Sequence, residues 1–165
     1  MTKQITYSGI GSRKTPKDIL ELMTRIANFL GERGYTLNSG GATGADEAFR
    51  IGANNKNIFL PWKGYNKIAS YHTTVPQQAI DIAEAFHPNW DACNDAVRKL
   101  HGRNAQIVLG SRLNEPVEFV ICWTPDGKAS GGTGLAIRMA QELDIPVFNL
   151  KNQAELDSIL EVING

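Results

Sequence analysis

Two glycine-rich segments carry most of the chemistry legible in this chain: Ser39-Gly40-Gly41-Ala42-Thr43-Gly44-Ala45-Asp46 and Ser130-Gly131-Gly132-Thr133-Gly134. A third, shorter one, Gly9-Ile10-Gly11-Ser12-Arg13, lies near the start. Each follows an apolar run, and the two longer ones open a helical pattern. A strand that turns through glycines into a helix directs unpaired N–H groups and a positive helix end at whatever sits above it. Such a tip holds phosphate with few cations. Glycine serves there because a side chain would block close approach, and because some positions need positive φ. Ser12, Ser39, Thr43, Ser130 and Thr133 add hydroxyl donors. Any one segment reads equally well as a tight turn. Three together point to one convergent anion site and a nucleotide-like ligand.

Other residues take part on weaker grounds. Arg13 closes the short Gly9–Arg13 tip and is placed for phosphate, while Lys128 precedes the Ser130–Gly134 segment and reads equally as a loop lysine. Asp46 falls in the first turn of a helix, where an acid is favoured by the dipole alone and can also bond a ribose or a neighbouring tip. Trp62 and Trp123 stand at or just beyond strand ends, in position either to pack or to stack on a base. Trp90 reads as a packing anchor. His72 and His87 titrate in the range of acid–base groups, yet sit where loop and helix-end histidines usually do no chemistry.

The common cofactor motifs fail on particular residues. Gly9-Ile10-Gly11 begins a dinucleotide fingerprint, but Lys14 takes the third glycine's place, and Asn38 stands where a ribose-binding acid belongs. There is no Gly-Lys-Ser/Thr, no Gly-x-Ser-x-Gly elbow, and no His/Cys/Asp cluster with metal spacing, so no metal is expected.

The elements that must position these tips alternate along the chain. Ile5–Ile10 reads as a strand, and Thr15-Pro16-Lys17-Asp18 supplies an N-cap, a proline at the first helical position and an acid for the helix that follows. Strands are expected at 35–38, 57–62, 117–123 and 145–150, with helices at 46–53, 76–86, 91–110, after 134 and at the C-terminus. Residues 63–75 are polar, aromatic and aperiodic, hence a loop. Alternation of this kind predicts an α/β fold, a single doubly wound Rossmann-like domain over residues 1–165. Its sheet of about five strands is mainly parallel, with helices on both faces. In the order 3-2-1-4-5, strands one, two and four are neighbours, and their tips carry the three glycine segments.

The 165 residues are 42% hydrophobic, enough for one core. Lys plus Arg equals Asp plus Glu at 17 each, so no whole-molecule field draws in a polyanion, and nucleic acid is the less expected partner. Cys93 and Cys122 read as buried, reduced thiols. No secretory leader or membrane span is evident, which predicts a soluble cytoplasmic protein.

The set Gly11-Ser12-Arg13, Ser39-Gly40-Gly41-Ala42-x-Gly44-x-Asp46, Arg103-Asn104 and Gly131-Gly132-Thr133, followed by Ile145-Pro146-Val147, resembles the SLOG superfamily. That superfamily groups the DNA-processing protein A (DprA) family, the lonely-guy cytokinin-activating enzymes and many small nucleotide-sensing domains. The match covers nearly the whole chain and is nearest to small DprA-like or YspA-like members, which phages also carry. It implies that the glycine segments bind nucleotide phosphate and that Arg103, with Asn104 beside it, clamps a phosphate or carboxylate. The expected ligand is a nucleoside monophosphate or an ADP-ribose-type molecule, held by a sensor or sequestering module.

Lonely-guy enzymes release the base from a nucleoside monophosphate with a glutamate just inside the helix after their glycine motif. Ala136 holds that place here. An N-glycosidic or phosphate-ester hydrolase would then need Asp46 or Glu47 as its carboxylate. A third alternative is DprA-like binding of single-stranded DNA. Relatives often dimerise through helices beside the pocket, and Ile80, Ala83 and Phe86 are available for that or for the core.

Overall fold

Val120 and Cys122 point to one side of their strand and Ile121 to the other, and all three are buried, as a strand covered on both faces requires. A computed structural model describes residues 4–165. The strands are β1 (Ile5–Gly9), β2 (Tyr35–Ser39), β3 (Lys56–Ile58), β4 (Val120–Cys122) and β5 (Val147–Asn149). They form one parallel sheet in the order β3-β2-β1-β4-β5. The helices are α1 (Lys17–Glu32), α2 (Ala45–Gly52), α3 (Gln77–Phe86), α4 (Asp95–Leu109), α5 (Gly134–Glu142) and α6 (Gln153–Asn164). The α/β architecture and the strand order are those the alternation predicts.

Two apolar layers flank the sheet. On one face Met23, Ile26, Leu30 and Ile159 of α1 and α6 and Phe49 of α2 pack with Tyr7, Leu37 and Ile121. On the other, Ala79, Ala83, Ala105, Ile107, Val108, Leu135 and Met139 of α3, α4 and α5 pack with Val120 and Cys122. Ala83 belongs to that core, and Ile80 and Phe86 pack against it. Ala136 is also fully buried there. Among the described residues no helix is long and apolar enough to cross a membrane.

Several local expectations change. Helix α1 starts at Lys17 after Pro16, and Thr15 does not cap it; its hydroxyl donates to the Ser12 carbonyl at 2.6 Å. Helix α4 starts at Asp95 rather than Asp91, because the Asn94 side chain accepts the Val97 N–H at 2.9 Å and sets a true N-cap. The polar stretch before it instead forms a single 3-10 turn at Trp90–Ala92. Strand β3 ends at Ile58, where Ser70 and His72 of the returning loop take over the pairing: Ser70 Oγ donates to the Ile58 carbonyl and Leu60 N–H to the His72 carbonyl. Cys122 is buried, while Cys93 is only half-buried, and neither forms a disulfide.

Candidate functional site

The three glycine segments meet at the carboxyl edge of β1, β2 and β4, and several of their polar groups are bound within the protein. Asp46, in the first turn of α2, is 4% exposed. Its Oδ2 accepts the Ala42 N–H at 3.2 Å, and the backbone N–H groups of Gly11 and Gly40 lie close enough to favour the charged carboxylate. The second segment therefore cradles an anion that the chain itself supplies. Burial pushes the Asp46 pKa up to about 6, against the opposing pull of Arg103 and the three N–H donors. Desolvation wins here because one guanidinium and three amides do not replace a full hydration shell.

Arg103 reaches the same point from α4. It is 7% exposed, donates from Nη1 to the Gly40 carbonyl and from Nε to Asn104 Oδ1 at 3.1 Å. Asn104 Nδ2 donates in turn to the Gly132 carbonyl at 3.1 Å. Ser39 Oγ donates to the Gly9 carbonyl at 2.6 Å, joining the tips of β1 and β2. Asn38, in the place of a ribose acid, is buried and donates to the Ile107 carbonyl while accepting from Asn57. Ser8 bonds the same Ile107 carbonyl, so α4 is anchored across both strands.

The glycines divide by what a side chain would meet. A Cβ at Gly9 would lie 2.6 Å from the Phe49 ring, and one at Gly11 2.7 Å from Ala45 Cβ. At Gly40 it would strike Arg103 and Asp46. Gly41 and Gly44 have φ of +74° and +83°, and Gly44 also abuts the Arg13 backbone. These five are explained by packing and backbone conformation. Gly131 has φ +63° with open space beside it, and Gly132 has open space and an ordinary φ. Among the described residues nothing requires glycine at Gly132. Both lie exposed in a 3-10 turn that runs directly into α5, whose own first residues, Gly134, Leu135 and Ala136, are buried.

Arg13, Lys14, Thr43, Glu47 and Lys128, in or next to the glycine segments along the chain, are exposed. Ser12 Oγ accepts the Lys14 N–H, Ser130 Oγ donates to Asp126, and Thr133 is buried. Glu47 lines a 280 Å³ pocket with Gly41, Thr43, Arg50 and Asn66, and is the carboxylate of the pair that reaches solvent. The two tryptophans separate: Trp123 is 7% exposed and packs in the core, whereas Trp62 is 39% exposed. Burial thus takes the Trp123 ring away from any base.

Two residues missed by sequence reasoning complete the edge. Tyr65 packs edge-on against Trp62 with ring centres 5.5 Å apart, and the Arg103 guanidinium lies 5.6 Å from the Tyr65 ring. Asn66 Nδ2 donates to the Gly41 carbonyl at 3.0 Å, tying the β3–α3 loop to the second glycine segment. Asn66 and Lys67 both hold left-handed backbone, with φ of 49° and 60°. The only signal in the sequence was the turn composition Gly64-Tyr65-Asn66, which does not say where the turn docks.

One grouping of metal-type donors comes from the fold rather than from sequence spacing. His87, Cys93 and His101 have no recognised spacing, yet the fold brings their donor atoms within 4.8 Å of one another. His72 stays at the sheet edge, its ring against Phe59 and 3.3 Å from Asn57.

No family model matches the sequence, and neither does any curated protein. The structure of DNA processing protein A from Helicobacter pylori, studied for its single-stranded DNA binding mode, is similar with a TM-score of 0.60 at 14% identity. The likeness covers 97% of this chain and 79% of that one, and it shows a DprA-like Rossmann-type fold.

Proposed function

We propose that the carboxyl edge of the sheet binds single-stranded DNA, gripping a backbone phosphate at Gly131–Gly134 and stacking a base on Trp62. The observation that carries this reading is the pair Gly131–Gly132: exposed, at the start of α5, with open space where side chains would stand. Exposed Arg13, Lys14 and Lys128 add the cations, and the Trp62–Tyr65 pair adds the aromatic surface on which bases stack without sequence preference. The fold shared with a protein known for its single-stranded DNA binding mode supports the same choice. The SLOG resemblance supports phosphate at these glycines.

A second reading, a free nucleotide or ADP-ribose-type ligand, is favoured by one observation. The chain has no net charge, and a polymer gains most from an extended basic field. In that version Glu47 is the carboxylate placed for hydrolysis, since Asp46 is enclosed by amides and Arg103.

Fluorescence anisotropy with a labelled oligothymidine decides between them. Binding that weakens as salt rises, and that AMP or ADP-ribose displaces only poorly, is the expected result. Tight displacement by a mononucleotide would move the assignment to the second reading. No binding of either probe would end both.

A further inference from the structure

We infer that His87, Cys93 and His101 form a binding site for a zinc ion, which staples the connection between α3 and α4 onto α4. The three come from different places: His87 follows the last turn of α3, Cys93 follows the 3-10 turn, and His101 lies on α4. Their donor atoms lie within 4.8 Å of one another, and all three residues are half-buried, so an ion can enter while the donors stay ordered.

The Cys93–His87 distance suits the ion. Cys93 Sγ lies 3.7 Å from His87 Nε2. Zinc–sulfur and zinc–nitrogen bonds of about 2.3 and 2.0 Å at a tetrahedral angle put the two donors about 3.5 Å apart. The His87 and His101 rings are 4.5 Å apart at 62°, so they converge edge to face rather than stack flat. His101 keeps a buried ring nitrogen, Nδ1, that no group among the described residues satisfies, and such an atom calls for a partner. Trp90, 8% exposed, covers the cluster with ring centres 5.8 Å from His87 and 6.3 Å from His101.

One thiolate and two imidazoles make a borderline-soft donor set of the kind zinc takes, with a fourth position left for water. Binding releases the Cys93 thiol proton. Asn89 N–H donates to His87 Nδ1 at 3.0 Å; ligation through Nε2 places the ring hydrogen on Nδ1 and gives up that one bond. The consequence reaches the glycine edge, because His101 stands two residues before Arg103 on the same helix. Independent of any DNA or nucleotide, an ion here would hold the part of α4 that grips both longer glycine segments.

The test is titration of the full, untagged, reduced chain with Co(II). The expected result is one equivalent bound with a near-ultraviolet thiolate-to-cobalt band and tetrahedral visible bands, all displaced by Zn(II). The thiolate band should vanish in Cys93→Ser, and the Zn(II)-dependent rise in Tm should be lost in Cys93→Ser and His101→Gln. Circular dichroism checks the fold of each variant. If the wild-type chain shows no thiolate band, the site does not exist. A band that survives intact in folded Cys93→Ser would equally overturn it. Should either variant misfold, the wild-type spectrum alone decides.

Discussion

Arg103 Nε donates to Asn104 Oδ1 at 3.1 Å, and through that contact two adjacent residues of α4 divide the longer glycine segments between them. Arg103 takes the Gly40 carbonyl and faces Asp46, while Asn104 takes the Gly132 carbonyl. Residues next to each other on a helix normally point about 100° apart. Here the Nε bond couples them, so a shift at one glycine segment is felt at the other.

Arg103→Leu should therefore be among the most damaging single changes. It leaves the Gly40 carbonyl without its side-chain donor and the buried Asp46 carboxylate without its counter-charge. Leaving buried acceptors without their charged donor costs about 1–3 kcal/mol, read from urea unfolding at neutral pH. A loss under about 1 kcal/mol would show that the contact is not held in solution. Arg103→Lys should recover only part, since an ammonium lacks the planar fork that serves Gly40 and Asn104 together.

Asp46 should make stability depend on pH in a known direction. Its pKa in the fold, about 6, lies above the ordinary 3.8, so the fold binds the proton more tightly than the unfolded chain does. That contribution is fully present below about pH 4 and is lost as pH rises through about 6. Comparing wild type with Asp46→Asn cancels the other titrations. The wild type should lose up to about 3 kcal/mol relative to the variant between pH 4 and pH 7. A flat difference across that range would contradict the burial argument.

Two glycine substitutions should behave in opposite ways. Gly9→Ala drives a methyl into Phe49 and Leu37 and should destabilise the fold by about 1–3 kcal/mol. Gly132→Ala meets nothing, so Tm should hardly move, while oligothymidine binding weakens. Gly132→Ala with full binding would remove the observation on which the proposed site rests.

The tryptophans should separate stability from binding. Trp62→Ala removes a half-exposed ring and should weaken oligonucleotide binding by about 1–3 kcal/mol in anisotropy titrations with little change in Tm. Trp123→Ala empties a core position and should cost about 3–5 kcal/mol of stability. Equal stability losses in the two variants would place Trp62 in the core as well.

The alternation of apolar strands with amphipathic helices was readable directly, because each element's pattern is local: Val120, Ile121 and Cys122 announce a strand covered on both faces, and Met23, Ile26 and Leu30 a helix with one inward side. From that pattern the parallel sheet, its order and the meeting of the three glycine segments follow. The sequence by itself thus determined the architecture and the end of the sheet where a site would lie. Tertiary structure decided which groups are left to act there. Asp46 occupies the cradle of its own glycine segment, Arg103 is committed to Gly40 and Asn104, and Trp123 is buried, so what faces outward is Gly131, Gly132, Arg13 and Trp62. Tyr65 and Asn66 reach that edge, and His87, Cys93 and His101 converge, only because loops without periodicity fold back onto helices. Hydrophobic periodicity records which side of an element is buried; it carries no record of which distant carbonyl, amide or thiol a side chain will meet.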